Sequence, residues 1–203
     1  CQILIEAAIY AARQLGMTIS FDCNYRSMLW SFDEARDIIS RYLPYVDVLI
    51  GIEPLHLQDE NGHDLKDGMS MQPDYEEQDR IFQAMADRYH FKAIARHVRY
   101  THSSSENSLK AYLYYNGQTY PRFSGKYDWV IHILFIKREY IAEKILCFSS
   151  GLIYALMNNY KPRDVVNFAV ASSVMKHSIH GDTNITDVES IQRLMNQSFD
   201  VQR

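Results

Sequence analysis

The densest polar cluster of this chain is Asp22-Cys-Asn24-Tyr-Arg26. Arginine presents a planar fork of donors that matches a carboxylate or a phosphate, and Asp and Asn can hold hydroxyls or order the loop that carries them. The same five residues also fit an Asx-turn beside a surface arginine. What favours a ligand is their place, directly after the β-rich run ending at Phe21. In open α/β sheets the loops at the carboxyl ends of strands converge on a crevice where ligands bind. Elsewhere the chemistry is thinner. Cys23 has no sequence-visible base nearby and reads as a buried thiol. His97, His102, His177 and His180 show no metal-ligand spacing, so no metal site is expected from them.

The elements around the cluster alternate. Ile3, Ala7, Ala11 and Leu15 form one stripe at helical spacing, Gly16 is placed to end the helix, and a strand follows at once. Ser31-Phe-Asp-Glu34 resembles a capping box for a helix to about Tyr42, and Val46 to Ile52 reads as a buried parallel strand. Residues 57–74 are polar and read as a surface loop. A helix is expected from Tyr75 to Tyr89 and a strand from Phe91 to Val98. Asn116-Gly117, between two alternating runs, signals an antiparallel hairpin. The stretch from Trp129 to Ile136 is strand-like. Long helical periodicity follows from Arg138 to Tyr160, with Gly151 as a close-packing point, and two further helices cover Arg163 to His177 and Asp187 to Phe199. The order predicts an α/β fold, a mostly parallel sheet flanked by helices with a hairpin at its end.

Composition narrows the function classes. With 203 residues, 47% apolar and 23% charged, the chain suits one folded domain or part of a larger one. Its net charge of −4 offers no cationic surface for nucleic acid. No apolar stretch is long enough for a membrane span, so no membrane partner is expected. Three widely spaced cysteines without a CxxC fit a reducing cytoplasm. The opening Cys1, running straight into a helix, suggests a fragment.

Ile19-Ser-Phe-Asp22-Cys-Asn24-Tyr-Arg26-Ser-Met-Leu-Trp30, followed by Leu43-Pro-Tyr-Val-Asp-Val-Leu-Ile-Gly51, closely resembles the ribokinase-like (PfkB) carbohydrate kinases, and within them the 2-keto-3-deoxygluconate kinases. A second block, from Phe148-Ser-Ser-Gly151 through Phe168 to His180-Gly-Asp182, looks like the same subfamily. The resemblance covers most of residues 1–200 but only the family's carboxyl-terminal portion. It implies a three-layer ribokinase-like sheet in which residues 1–203 form a partial domain, without the amino-terminal part and lid. It further implies that Arg26 contacts a sugar acid's carboxylate with Asp22 and Asn24 supporting the loop, that Asp182 contacts a substrate hydroxyl, and that Arg99 borders the nucleotide. ATP and magnesium are the implied cofactors, a sugar acid and a nucleotide the implied partners, and self-association is compatible with the family.

Two motifs of that family are missing. The GxGD segment, whose glycine amides cradle phosphate and whose aspartate takes the hydroxyl proton, should occupy Glu143 to Leu146. Leu146 stands where the aspartate belongs, and no glycine occurs from Lys126 to Ser150. No catalytic residue is therefore assigned. The NxxE signature, which organises magnesium-bound water, falls on Ile52 and Leu55, with Glu53 adjacent but out of register. The expected function is ATP-dependent phosphorylation of 2-keto-3-deoxygluconate or a similar sugar acid, impaired in this chain. The alternatives are a noncatalytic relative that binds a ligand without turnover, and a kinase of another sugar, which would leave Arg26 without a carboxylate.

Overall fold

A computed structural model describes residues 2–71, 73–101, 106–121, 133–134, 141–176, 179 and 185–196. The chain divides into two compact units, Cys1–His97 with Tyr112–Tyr120, and Val98–Ala111 with Pro121–Arg203.

The first unit begins with α1 (Gln2–Gln14). Its end is a Schellman motif: Gly16, at φ +66°, donates its N–H to the Arg13 carbonyl, and Met17 donates to that of Ala12. Glycine adopts this left-handed backbone without a Cβ penalty, as the sequence anticipates. Strand β1 (Ser20–Asp22) pairs in parallel with β2 (Val48–Ile50), and β2 with β3 (Ala93–Thr101), in the register Asp22, Ile50, Ala95. Between β1 and β2 runs α2 (Phe32–Tyr42), whose N-cap Ser31 accepts the Glu34 N–H as the capping box requires. A short 3-10 turn, Leu43–Tyr45, follows it. Between β2 and β3 runs α3 (Tyr75–Tyr89), capped by Asp74. It buries Ile81, Phe82 and Met85 completely, with Phe82 edge-on to Tyr114. The sheet continues through β4 (Glu106–Tyr115) to β5 (Gln118–Pro121), in the order β1-β2-β3-β4-β5. Asn116 and Gly117 both have positive φ, 49° and 81°, which is the two-residue hairpin turn their types favour.

One buried carboxylate ties the strand starts of this unit together. Asp47, only 5% exposed, accepts the Ile19 N–H at 2.9 Å and forms ion pairs with Arg13 at 3.3 Å and Lys92 at 3.0 Å. Burial works against its charge, but the Ile19 amide, Lys92 and Arg13 outweigh that and hold the carboxyl below its ordinary range.

In the second unit, Glu106 and Asn107 of β4 pair antiparallel with β6 (Ile133–Leu134). Helices α4 (Ile141–Met157), α5 (Pro162–Lys176) and α6 (Val188–Asn196) follow. Gly151 is the close-packing point its sequence position suggests: a Cβ there would stand 2.8 Å from the Ser172 Cβ and 3.2 Å from the Ala169 Cα. Tyr154 stacks on Phe168 at 5.3 Å, and Tyr160 meets the same ring edge-on.

Two expectations change in detail. The strands β1 and β2 are three residues each, shorter than Met17–Phe21 and Val46–Ile52, because the parallel ladder begins only where Ile19 and Asp47 have fixed the register. The 57–74 segment is not a simple surface loop: Leu57 is 2% exposed and Lys66 6%. It folds back through a bridge between Gln58 and Asp64, carrying both side chains inward.

Candidate functional site

Parallel register places the first residues beyond β1 and β2 side by side. Cys23 donates its N–H to Ile50, and Gly51 donates to Ala95. Gly51 lies so close to Cys23 that a Cβ there would stand 3.2 Å from the cysteine's own. The cluster Asp22 to Arg26 therefore sits where the sequence places it, at a strand's carboxyl end. Within it Asp22 Oδ1 accepts the Asn24 N–H at 3.1 Å, which is the Asx-turn. Arg26 is exposed, and its guanidinium donates to the Tyr25 carbonyl at 3.3 Å. Tyr25 packs edge-on against Phe32 and donates its hydroxyl to the Trp30 carbonyl. The aromatic pair holds the loop while the arginine's remaining donors face outward.

Behind this loop lies a buried charge cluster that periodicity does not reveal. The Lys66 ammonium donates to the Leu55 carbonyl at 2.6 Å and to both oxygens of Asp64, at 2.8 and 2.9 Å. Glu53 is 3.8 Å away, and its carboxylate also accepts the Leu55 N–H. Burial raises the Glu53 carboxyl above its usual range, against the pull of Lys66. The thiol of Cys23 is pushed far up, by burial first and then by the charges of Asp22 and Glu53. His97 on β3 is driven toward its neutral form by burial, with Asp22 opposing. The only sequence signal for Lys66 is its opposite charge two residues from Asp64, set near Leu55 and Leu57.

The positions expected to serve phosphate chemistry hold apolar residues. Ile52 and Leu55 are buried at 4% and 0% exposure, so their side chains fill core space. Glu53 is engaged by Lys66 and a backbone amide. Among the described residues no group of three or more His, Cys, Asp or Glu is gathered so as to hold a metal ion. Leu146 on α4 is 56% exposed, and its side chain has no group that can take a proton. These residues do not fit magnesium or a transferring phosphoryl group in the way the missing motifs would. Arg99 lies on β3, but its side chain is outside the described residues, as is Asp182 altogether. Among the described residues, no helix is long and apolar enough to cross a membrane.

A mostly parallel sheet of this order, with helices linking its strands and a hairpin at its far side, is the ribokinase-like α/β fold, and the chain is similar to the PfkB-family carbohydrate kinases that share it. No family model matches the chain. Among particular proteins, 2-dehydro-3-deoxygluconokinase from Thermotoga maritima aligns with 97% of this chain and 55% of its own, at a TM-score of 0.78 and 27% identity. A PfkB family carbohydrate kinase from Listeria grayi aligns over the same shares at a TM-score of 0.76 and 24% identity, a likeness of fold. A putative ribokinase II from E. coli, solved in complex with ATP and magnesium, covers 94% of this chain and 52% of its own at a TM-score of 0.61 and 14% identity, again a likeness of fold. In sequence, 2-dehydro-3-deoxygalactonokinase from Haloferax volcanii is 47% identical over 45 residues, 22% of this chain and 14% of that protein. The chain thus spans about half the length of the solved structures it matches.

Proposed function

We propose that this chain is the carboxyl-terminal portion of a sugar-acid kinase of the 2-keto-3-deoxygluconate type, and that phosphoryl transfer is impaired in it. The observation that carries the impairment is Leu146, exposed on α4, at the position that the resemblance assigns to the family's general base. A leucine side chain cannot take a proton from a substrate hydroxyl, and the buried Ile52 and Leu55 supply no side-chain oxygen for magnesium. The sugar-acid reading is supported by the exposed Arg26 fork at the carboxyl end of β1, on a loop ordered by the Asp22–Asn24 turn. In this reading Arg26 pairs with the substrate carboxylate, Asp22 and Asn24 support it, Asp182 meets a hydroxyl, and Arg99 borders ATP. The apolar residues that α1 leaves uncovered support a partial domain, since a longer kinase would have further chain to place over them. A cytoplasmic setting suits the two buried free thiols, Cys23 and Cys147.

A coupled assay with 2-keto-3-deoxygluconate, ATP and magnesium tests the impairment. The expected result is no turnover near the ~1 to 100 s⁻¹ of ordinary kinases; such turnover would show that another carboxylate has taken the role. Calorimetric titration with the same sugar acid tests the site. Binding should weaken by roughly 1.5 to 3 kcal/mol in Arg26→Ala, the worth of a charge-assisted bond. Equal affinity in the variant removes Arg26 from the site.

A further inference from the structure

We propose that a second small-molecule site, selective for a sugar or polyol phosphate, lies between the carboxyl-terminal ends of α2 and α3. Because β1, β2 and β3 are parallel, Ser40 and Arg41 at the end of α2 precede β2, and Arg88 and Tyr89 at the end of α3 precede β3. They lie toward the strand starts, whereas Asp22 to Arg26 follow the end of β1. The loop after β2 reaches back between the two helices and brings His56 and Gln58 beside them. Together these residues and Asp37 line an open cavity of about 350 Å³. That is within the range of small-molecule pockets, roughly 300 to 1,000 Å³.

The frame of this cavity is fixed at three points on one residue. The His56 N–H donates to Ser40 Oγ at 3.0 Å, its carbonyl accepts the Tyr89 hydroxyl at 2.6 Å, and its Nε2 lies 2.7 Å from Asp37 Oδ1. Binding groups remain uncommitted around it. Arg41 has no hydrogen bond or ion pair with any other described residue. Arg88 donates to the Gln58 carbonyl at 3.4 Å and lies 5.6 Å from the centre of the Tyr89 ring, leaving most of its N–H fork open. Ser40 accepts a hydrogen bond but its own hydroxyl proton has no acceptor among the described residues.

The two guanidinium groups outnumber the cavity's one carboxylate, Asp37, and favour an anionic ligand. A phosphate monoester carries about −1.5 to −2 near neutral pH and offers three acceptor oxygens to arginine forks. The one carboxylate of the cavity, Asp37, is held through Oδ1, and its Oδ2 can accept from a ligand hydroxyl. Acceptor oxygens for the arginines and hydroxyls for Asp37 are together what a phosphorylated sugar or polyol offers. The site does not depend on the sugar-acid reading of Arg26.

Calorimetry on the full chain with glucose 6-phosphate, beside glucose and inorganic phosphate, tests this. Glucose 6-phosphate should bind one to one and more tightly than inorganic phosphate, and glucose should not bind. The double variant Arg41→Ala, Arg88→Ala should lose at least tenfold in affinity, and since both side chains are exposed its circular dichroism and thermal midpoint should stay as in the parent. Arg26→Ala should bind as the parent does. No binding at millimolar ligand, unchanged affinity in the double variant, or inorganic phosphate binding as tightly as the sugar phosphate would each overturn the proposal. Loss in Arg26→Ala alone would move the sugar phosphate to the β1 loop and overturn it equally.

Discussion

Helices α1 and α3 are close in length, 13 and 15 residues, both are amphipathic, and each is followed by a parallel strand of one sheet. They differ in what they bury. Helix α3 sinks Ile81, Phe82, Met85, Ala86 and Tyr89 into the core, while no residue of α1 is buried. Ile3 is 81% exposed, Leu4 75% and Tyr10 69%. What fastens α1 is polar: Arg13 to Asp47, and Glu6 hydrogen-bonded to the Tyr42 hydroxyl, whose pKa rises through its own burial and then through Glu6. An apolar stripe thus states that a helix has a face to cover, and says nothing about whether this chain covers it. Removal of apolar area from water stabilises a helix in its fold; α3 has that contribution, and α1 relies on a charge and a hydroxyl.

The contrast gives graded expectations. Phe82→Ala should have the largest effect, a loss of about 3 to 5 kcal/mol in urea unfolding; a loss below ~1 kcal/mol would mean that α3 is no better anchored than α1. Asp47→Asn should cost roughly 1 to 3 kcal/mol, since it weakens the acceptor for Ile19 and both ion pairs. Its pH dependence sharpens the point. The Asp47 carboxyl is lowered in the folded state, so its contribution is present above the ordinary carboxylate pKa and is lost as pH falls through the folded value. Stability of the parent should therefore decline on acidification from about pH 5, and Asp47→Asn should show a shallower decline; parallel curves would remove Asp47 from the account. Leu4→Gln on α1 should change unfolding by less than about 0.5 kcal/mol. A larger loss would show that α1 is covered after all.

Features fixed by local sterics were legible in the sequence. Asn116-Gly117 makes its turn, Ser31 caps its helix, and Gly16 closes α1, because each depends on a few neighbouring backbone atoms. Gly151 was legible as well, a residue without a side chain inside an otherwise bulky helix. Long-range arrangements were not. Lys66 occupies a polar segment, and only the fold brings the Leu55 carbonyl to its ammonium. The exposure of α1 was equally hidden, since amphipathicity does not name a partner. For the candidate site, the position of Asp22 to Arg26 was readable from its place after a strand, and so was the Asx-turn within it. The roles of Asp182 and Arg99 came only from resemblance and still rest on it.

The packing of Gly51 onto Cys23 also makes the cysteine a clock. Only a thiolate is alkylated, and burial together with Asp22 and Glu53 disfavours that form while the ends of β1 and β2 stay joined. The rate at which iodoacetamide labels Cys23, located by peptide mass mapping to distinguish it from Cys1 and Cys147, then measures how often those strand ends part. Opening in the absence of denaturant is thereby timed by a single sulfur atom. A ligand that settles on the Asp22 to Arg26 loop should slow the label in proportion to its occupancy.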